Sequence, residues 1–324
     1  MRMMKKAIVI MAALGVCMGL SGCALLKQRN NPSAEEVVNS VLNAYAQADY
    51  ESMEIYTKED ERLSRLLGAA GKENASDMEK VYQQVFEATK GFTYTAEAVK
   101  GKEKWGEVLV KIQTNDVTSH IMETMSSAIK AQAENGDDSF RNLPAWLLQA
   151  VQMSEPKELE VTVYVSAVGS EKIMDVVTNK QFFEVLTGGF YEYMALSMTT
   201  CTAVGDVYEI AANGDDIIGM VETMDQTEDT ADLTDEDIKA YEALYADMEG
   251  LTVRVQRKET EGITIRFGVD FETAGSQNLV DLGIISDRIT AGGGYLSLQK
   301  TISGFEDSGM TCVTETYTTG TVTE

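Results

Sequence analysis

Histidines, thiols and clustered carboxylates are the side chains with which this chain could do chemistry, and it is sparing with the first two. His120 is the only histidine in 324 residues, and Asp116 stands one helical turn before it. A Ser-His-Asp hydrolase would also need a positioned serine, and no Gly-x-Ser-x-Gly elbow occurs. A Cys-His nucleophile would need Cys201 or Cys312 beside His120, which their spacing does not indicate. One histidine and two cysteines, once Cys17 and Cys23 are set aside as below, do not make a zinc signature. The acidic run Asp225, Glu228, Asp229, Asp232, Asp235, Glu236 and Asp237 invites comparison with a calcium loop. Counted from Asp225, the fifth and twelfth positions are acidic. The third, however, is Thr227, and the sixth is Thr230 where the sharp turn needs glycine. These carboxylates read as loop solvation and as negative charge loaded onto a helix N-terminus. Gly292-Gly293-Gly294 is followed by no Gly-Lys-Ser/Thr and is no phosphate loop. With 52 acidic residues, no pair can be singled out for glycoside cleavage. No catalytic residue, metal site or cofactor is therefore expected.

Cys23 is the exception. Arg2, Lys5 and Lys6 precede an apolar run of 14 residues, Ala7 to Leu20. That run is too short for a permanent span, which needs about 20 residues, and has the length of an export-signal core. Ser21 and Gly22 then lead into Cys23. The stretch Leu20-Ser21-Gly22-Cys23 resembles the lipobox of bacterial lipoproteins. The resemblance implies cleavage before Cys23 and diacylation of its thiol, with two acyl chains giving stable anchoring. Residues 1–22 are thus expected to be a removed signal peptide and 23–33 a lipidated tether. The expected location is the extracytoplasmic face of the bacterial cell membrane.

Charge narrows the partners. The chain carries 27 Lys+Arg against 52 Asp+Glu, net −25, and loss of the three basic signal residues brings the mature protein to about −28. Such a surface repels nucleic acid and anionic lipid head groups. Export also permits disulfides. Cys201 and Cys312 either bridge, closing a loop of ~110 residues worth roughly 4–5 kcal/mol in the chain-entropy model, or remain two separate buried thiols.

The elements that must position these residues follow from periodicity. Residues 34–48 form a helix opened by a capping box, Ser33 with Glu36, and present Val37, Val38, Val41, Leu42 and Tyr45 on one face. Further helical stretches run to Leu67 and over 77–89. Alternation then marks a hairpin, 92–99 with 105–114. A helix over 117–133 is broken by Asn135-Gly136-Asp137-Asp138. Strands follow at 158–168 and 171–177, then a helix from Thr178 to Met198 with Gly188-Gly189 inside it. Strands near 205–212 and 215–224 flank an Asn-Gly-Asp-Asp turn. A helix over 235–249 is capped by Thr234 and closed by Gly250. Leu251, Val253 and Val255 alternate, and so do Ile263, Ile265, Phe267, Val269 and Phe271, each with one buried and one wet face expected. A helix near 296–307 and a strand near 311–318 finish the chain. The sum is an α+β protein of two domains, 34–199 and 200–324, each a mostly antiparallel sheet packed with helices.

The first domain opens AEEVVNSVLNAYAQADYESMEIYT and closes NKQFFEVLTGGFYE. It resembles the nuclear transport factor 2-like (cystatin-like) cone domains of Gram-positive lipoproteins. The second carries DVYEIAANGDDIIGMVETMDQ, TDEDIKAYEALYADMEGL, IRFGVDFETAG and YLSLQKTISGFEDSGM in that order. It resembles the YehR-like bacterial lipoproteins, a domain of unknown function. The cone resemblance implies an interior that Tyr94, Trp105, Tyr164, Phe182 and Phe183 could line, although aromatics at such spacing are more often core. The expected role is a non-catalytic, lipid-anchored surface protein binding a small molecule, a peptide or an envelope partner. The rivals are an envelope hydrolase using carboxylates of the cone-like domain and a purely structural interaction module.

Overall fold

The computed structural model describes residues 32–102, 106–168, 171–227, 230, 233–259, 261–281 and 295–316. The signal segment, Cys23, Trp105, Glu228, Asp229, Asp232 and Gly292 to Gly294 lie outside them.

Helices come first because their start signals are local. In α1 (Ala34–Ala46) the Ser33 hydroxyl accepts from the Glu36 N–H at 3.1 Å, and the Glu36 carboxylate accepts from the Ser33 N–H at 2.8 Å. Val37, Val38, Val41, Leu42 and Tyr45 are buried, the face that periodicity predicts. The stretch to Leu67 is two helices, α2 (Tyr50–Thr57) and α3 (Glu61–Ala69), capped by Asp49 and Asp60. A second capping box, Ser76 with Glu79, opens α4 (Asp77–Thr89).

Strands β1 (Thr93–Ala98) and β2 (Glu107–Asp116) form the predicted hairpin. The chain then leaves the sheet for α5 (Ile121–Asn135), which Gly136 ends at φ 70°, and α6 (Leu143–Gln152). Helix α6, LPAWLLQAVQ, is too uniformly apolar for its periodicity to announce it. Pro144 fits its first turn, and the Trp146 indole N–H donates to the Phe140 carbonyl at 3.1 Å. Strand β3 (Glu155–Tyr164) returns to pair with β2, giving an antiparallel order β1–β2–β3. A small hairpin, β4 (Ser166–Val168) with β5 (Glu171–Ile173), follows.

The helix expected from Thr178 to Met198 is broken instead. Helix α7 (Lys180–Leu186) stops at Gly188 and Gly189, whose φ values of 61° and 90° are left-handed. A Cβ on Gly188 would stand 2.3 Å from the Asn115 carbonyl oxygen, and one on Gly189 2.5 Å from the Thr118 hydroxyl. One turn, α8 (Phe190–Tyr193), leads into β6 (Leu196–Ala203), a strand that straddles the expected boundary at 199/200. Asn179 is not spent on capping α7. Its buried amide bonds the backbone N–H and C=O of Tyr164 at 2.7 and 2.9 Å and ties α7 to the end of β3.

Strands β7 (Asp206–Asn213) and β8 (Asp216–Gln226) are joined through the predicted turn. Helix α9 (Asp235–Ala243) starts on the box of Thr234 and Asp237. It ends earlier than predicted, and Gly250, at φ 77°, instead turns the chain into β9 (Leu251–Arg257). Then come β10 (Ile263–Asp270), α10 (Phe271–Ala274), α11 (Ser276–Asp281), α12 (Leu298–Asp307) and β11 (Thr311–Thr316). The larger sheet has the order β11–β6–β7–β8–β10–β9, antiparallel throughout. The protein is thus α+β, with antiparallel sheets packed by helices.

One expectation about β10 is overturned. The face carrying Thr264, Arg266 and Gly268 is not wet, because α5 lies across it. Gly219 and Gly268 make the seat: a Cβ there would come within 2.8 and 2.7 Å of Ile129. The larger apolar core therefore runs from Val37 through Ile129 to Met198, Ala211 and Val221 on the underside of the six-stranded sheet. A smaller core, including Ile210, Val269, Phe271 and Leu298, covers part of the upper face.

Candidate functional site

Register places one line of side chains across the upper face of the six-stranded sheet. Cys312, Cys201, Tyr208, Glu222, Phe267 and Val253 are successive cross-strand neighbours from β11 to β9. Directly opposed residues share a face and touch. At one end of the line, Cys201 and Cys312 are joined as a disulfide, with Cα atoms 4.0 Å apart and sulfurs 2.03 Å apart.

At its centre the line is flanked by two helices. From α12, Phe305 lies over Tyr208 with ring centroids 4.5 Å apart. From α9, Tyr241 and, from the turn that follows the helix, Tyr245 stand edge-on to Phe267 at 6.4 and 5.6 Å, and 5.5 Å from each other. They can do so together because the chain stays coiled past the helix end, the Tyr245 N–H donating to the Glu242 carbonyl at 3.2 Å. Between the two aromatic groups runs β8, whose alternation brings Met220, Glu222 and Met224 to this same face. All eight residues are half-buried rather than sealed. Tyr208 and Phe267 lie two strand spacings apart, about 10 Å. The result is a half-open groove with aromatic walls and a carboxylate on its floor.

Helix α9 is fastened over the outer strand. One Glu242 carboxylate oxygen accepts from the Val255 N–H at 2.9 Å, and the other from the Arg254 guanidinium at 3.3 Å. Asp235 pairs with Arg257 at 3.2 Å. These contacts hold Tyr241 and Tyr245 in place and occupy part of the β9 edge.

The electrostatics of the groove centre on Glu222. The Tyr208 hydroxyl donates to its carboxylate. Burial, aided by the charge of Asp206, holds the Glu222 carboxyl above the usual range despite that bond. Burial and the bond to Glu222 push the Tyr208 phenol up. Tyr241 is pushed up to about 12 by burial, by its neighbour Tyr245 and by the charge of Glu222. Among the described residues no lysine or arginine forms an ion pair with Glu222. A carboxylate set among rings without a counter-cation can neutralise itself only by taking a proton or a ligand.

The residues that sequence singles out lie elsewhere. His120 is the N-terminal flank of α5 and its ring nitrogen Nδ1 meets the Glu123 carboxylate at 2.8 Å. Neither Cys201 nor Cys312 is free to pair with it, since the two are bridged. Asp116 lines a separate cleft of about 220 Å³ with Thr118, Lys157, Glu184, Gly188 and Gly189. Its carboxylate is already engaged, by the Lys157 ammonium at 2.6 Å and by the Thr118 N–H and hydroxyl at 3.2 and 3.0 Å. Beside this cleft, Lys180 bridges Glu184, at 3.4 Å, and Glu192. Phe182 and Phe183 are fully buried against each other, 5.2 Å between centroids, so they fill the interior rather than line it. Tyr94 packs on Phe92 and Tyr164 is exposed. Among the described residues no group of three or more His, Cys, Asp or Glu side chains is arranged to hold a metal ion.

Sequence reasoning missed the groove because its residues come from β7, β8, α9, β10 and α12. Two faint signals exist. Glu222 interrupts an apolar row between Met220 and Met224, and the helix expected over 235–249 would set Tyr241 and Tyr245 on one face. Compared with known proteins, the chain matches no family model, no curated protein and no solved structure.

Proposed function

We propose that this protein is a non-catalytic binding module held by lipid on Cys23 at the extracytoplasmic face of a bacterial membrane, and that it takes its ligand on the upper face of the six-stranded sheet. The observation that carries the reading is the groove itself: half-buried rings flanking Glu222, a carboxylate without a partner cation. Stability alone does not favour such an arrangement, because burial opposes the charge and only the Tyr208 hydroxyl, a neutral donor, offsets it. Perturbed carboxylates in concave, ring-lined places are a mark of ligand sites.

Two further features support the reading. A Cys201–Cys312 bridge belongs in an oxidising compartment and accords with the export signal before Cys23. Phe182, Phe183, Phe190 and Tyr45 fill the helical half, which favours a ligand on the surface rather than in a cone. The carboxylates around the Asp116 cleft are held by Lys157 and Lys180, which favours a structural role there over hydrolysis.

Labelled palmitate should enter the wild-type chain in the producing bacterium and not the Cys23→Ala variant, which should leave the membrane fraction. Incorporation at any other residue, or none, refutes the anchor. For binding, the mature chain with Cys23→Ala, screened by thermal shift, should gain stability from its ligand by mass action. That gain should shrink in Phe267→Leu at the same ligand concentration. A ligand shift that this substitution leaves unchanged would move the site off the groove.

A further inference from the structure

Resting on the reading of the groove as the binding face, we infer that its ligand is a small quaternary ammonium compound, with the trimethylammonium head lodged over Glu222 between the rings of Tyr208 and Phe267.

Four observations converge on that chemistry. Aromatic faces attract cations, most strongly where water is displaced, and rings stand on both sides of the floor. Glu222 supplies one negative charge with no described cation beside it, and Asp206 adds to the local field. Met220 and Met224 lie on the same face of β8, two residues either side of Glu222, and offer polarisable thioethers to methyl groups. The two walls stand on strands about 10 Å apart at the backbone, with β8 and Glu222 between them.

The alternatives fit less well. A calcium or magnesium ion asks for six or more oxygen ligands, and the described groove presents Glu222, with Asp206 near it, and the tyrosine hydroxyls. A primary ammonium would need three acceptors for its N–H groups, whereas the Tyr208 hydroxyl already donates to Glu222. An anion would meet Glu222 and Asp206, and a neutral apolar ligand would bury Glu222 uncompensated. A quaternary head has no N–H to satisfy and is cheap to strip of water. The net charge of −25 concentrates such cations near the surface.

The test uses the mature chain with Cys23→Ala and three probes: choline, tetramethylammonium, and 3,3-dimethylbutanol as choline's neutral isostere. Binding is read by calorimetry and by tyrosine fluorescence. Both cations should bind with Kd below about 1 mM, and the neutral isostere about 10-fold or more weakly. Glu222→Gln, nearly isosteric, should weaken choline about 10-fold, and Phe267→Leu by about 5-fold. Circular dichroism and urea unfolding establish that each variant is folded. If Glu222→Gln fails to fold, Tyr208→Leu serves in its place. Glu97→Gln, on β1 and outside the groove, should leave binding unchanged. An isostere that binds as well as choline overturns the cation assignment and leaves the groove as a binding face. An equal loss in Glu97→Gln reduces the effect to bulk charge and overturns it too. If no probe binds, the inference falls, and the groove reading falls with it only when the thermal-shift screen also lacks a hit sensitive to Phe267→Leu.

Discussion

Ile129 rests on Gly268. The helix carrying the isoleucine, α5, belongs by sequence to the first half of the chain, and the glycine belongs to β10 of the second. A methyl group added at Gly268 would come within 2.7 Å of Ile129 Cγ2 and 3.1 Å of Ala133 Cβ. Gly268→Ala should therefore destabilise the protein by about 1–3 kcal/mol through overpacking, read as a lower urea midpoint. Gly268→Ala should cost less in an Ile129→Ala background, where the methyl it meets is gone. A loss equal in both backgrounds would mean that the two residues are not coupled.

The bridge between Cys201 and Cys312 ties residues 111 apart in sequence. Replacing both by serine, or reducing the folded protein, should cost about 2–4 kcal/mol. Intact mass measured without reductant should be lower by two hydrogens than after reduction. An unchanged mass would show two thiols and remove the basis of this expectation.

Glu209, on the underside of β7, is buried against α5. Gln132 donates to it from its side-chain nitrogen, while the Gln132 carbonyl accepts from the N–H groups of Phe140 and Arg141 at 3.0 and 3.1 Å. Burial holds the Glu209 carboxyl above the usual range, with Asp138 adding to the effect and Arg141, 3.9 Å away, opposing it. A carboxyl raised on folding binds its proton more tightly in the native state. Its contribution is complete below the unfolded value of about 4.3 and is lost as pH rises through the folded value. Glu209→Gln should thus compare better with wild type at pH 7 than at pH 4. Equal differences at the two pH values in urea unfolding would contradict the assignment.

Gly189 combines a left-handed backbone with a close neighbour, the Thr118 hydroxyl. Gly189→Ala should cost about 1–3 kcal/mol, and Thr118→Ser should relieve little, since the hydroxyl is the nearest atom. Full stability in Gly189→Ala would mean that the backbone can shift there without penalty.

What the sequence made legible is what is local. Ser33 with Glu36, and Thr234 with Asp237, act within one turn, so their helices begin where the capping pattern says. The Asn213-Gly214-Asp215-Asp216 turn and the alternation of β1 and β2 are equally self-contained. Gly188-Gly189 misled because their role depends on Asn115 and Thr118, some 70 residues earlier in the chain. Gly268 misled for the same kind of reason: its polar neighbours suggested water, and only the approach of Ile129 shows why a side chain is missing. In the groove, Tyr208 and Phe305 meet through strand register and helix docking, neither of which leaves a trace at either residue alone.

The Cys201–Cys312 crosslink has a mechanical consequence. Every residue of the groove, from Tyr208 to Phe305, sits inside the loop it closes. Tension applied between residues on either side of the bridge, at the front and the tail of the chain, would pass through the sulfurs and bypass that loop. The helical front half would then yield first under stretch, while the Glu222 floor and its aromatic walls kept their shape.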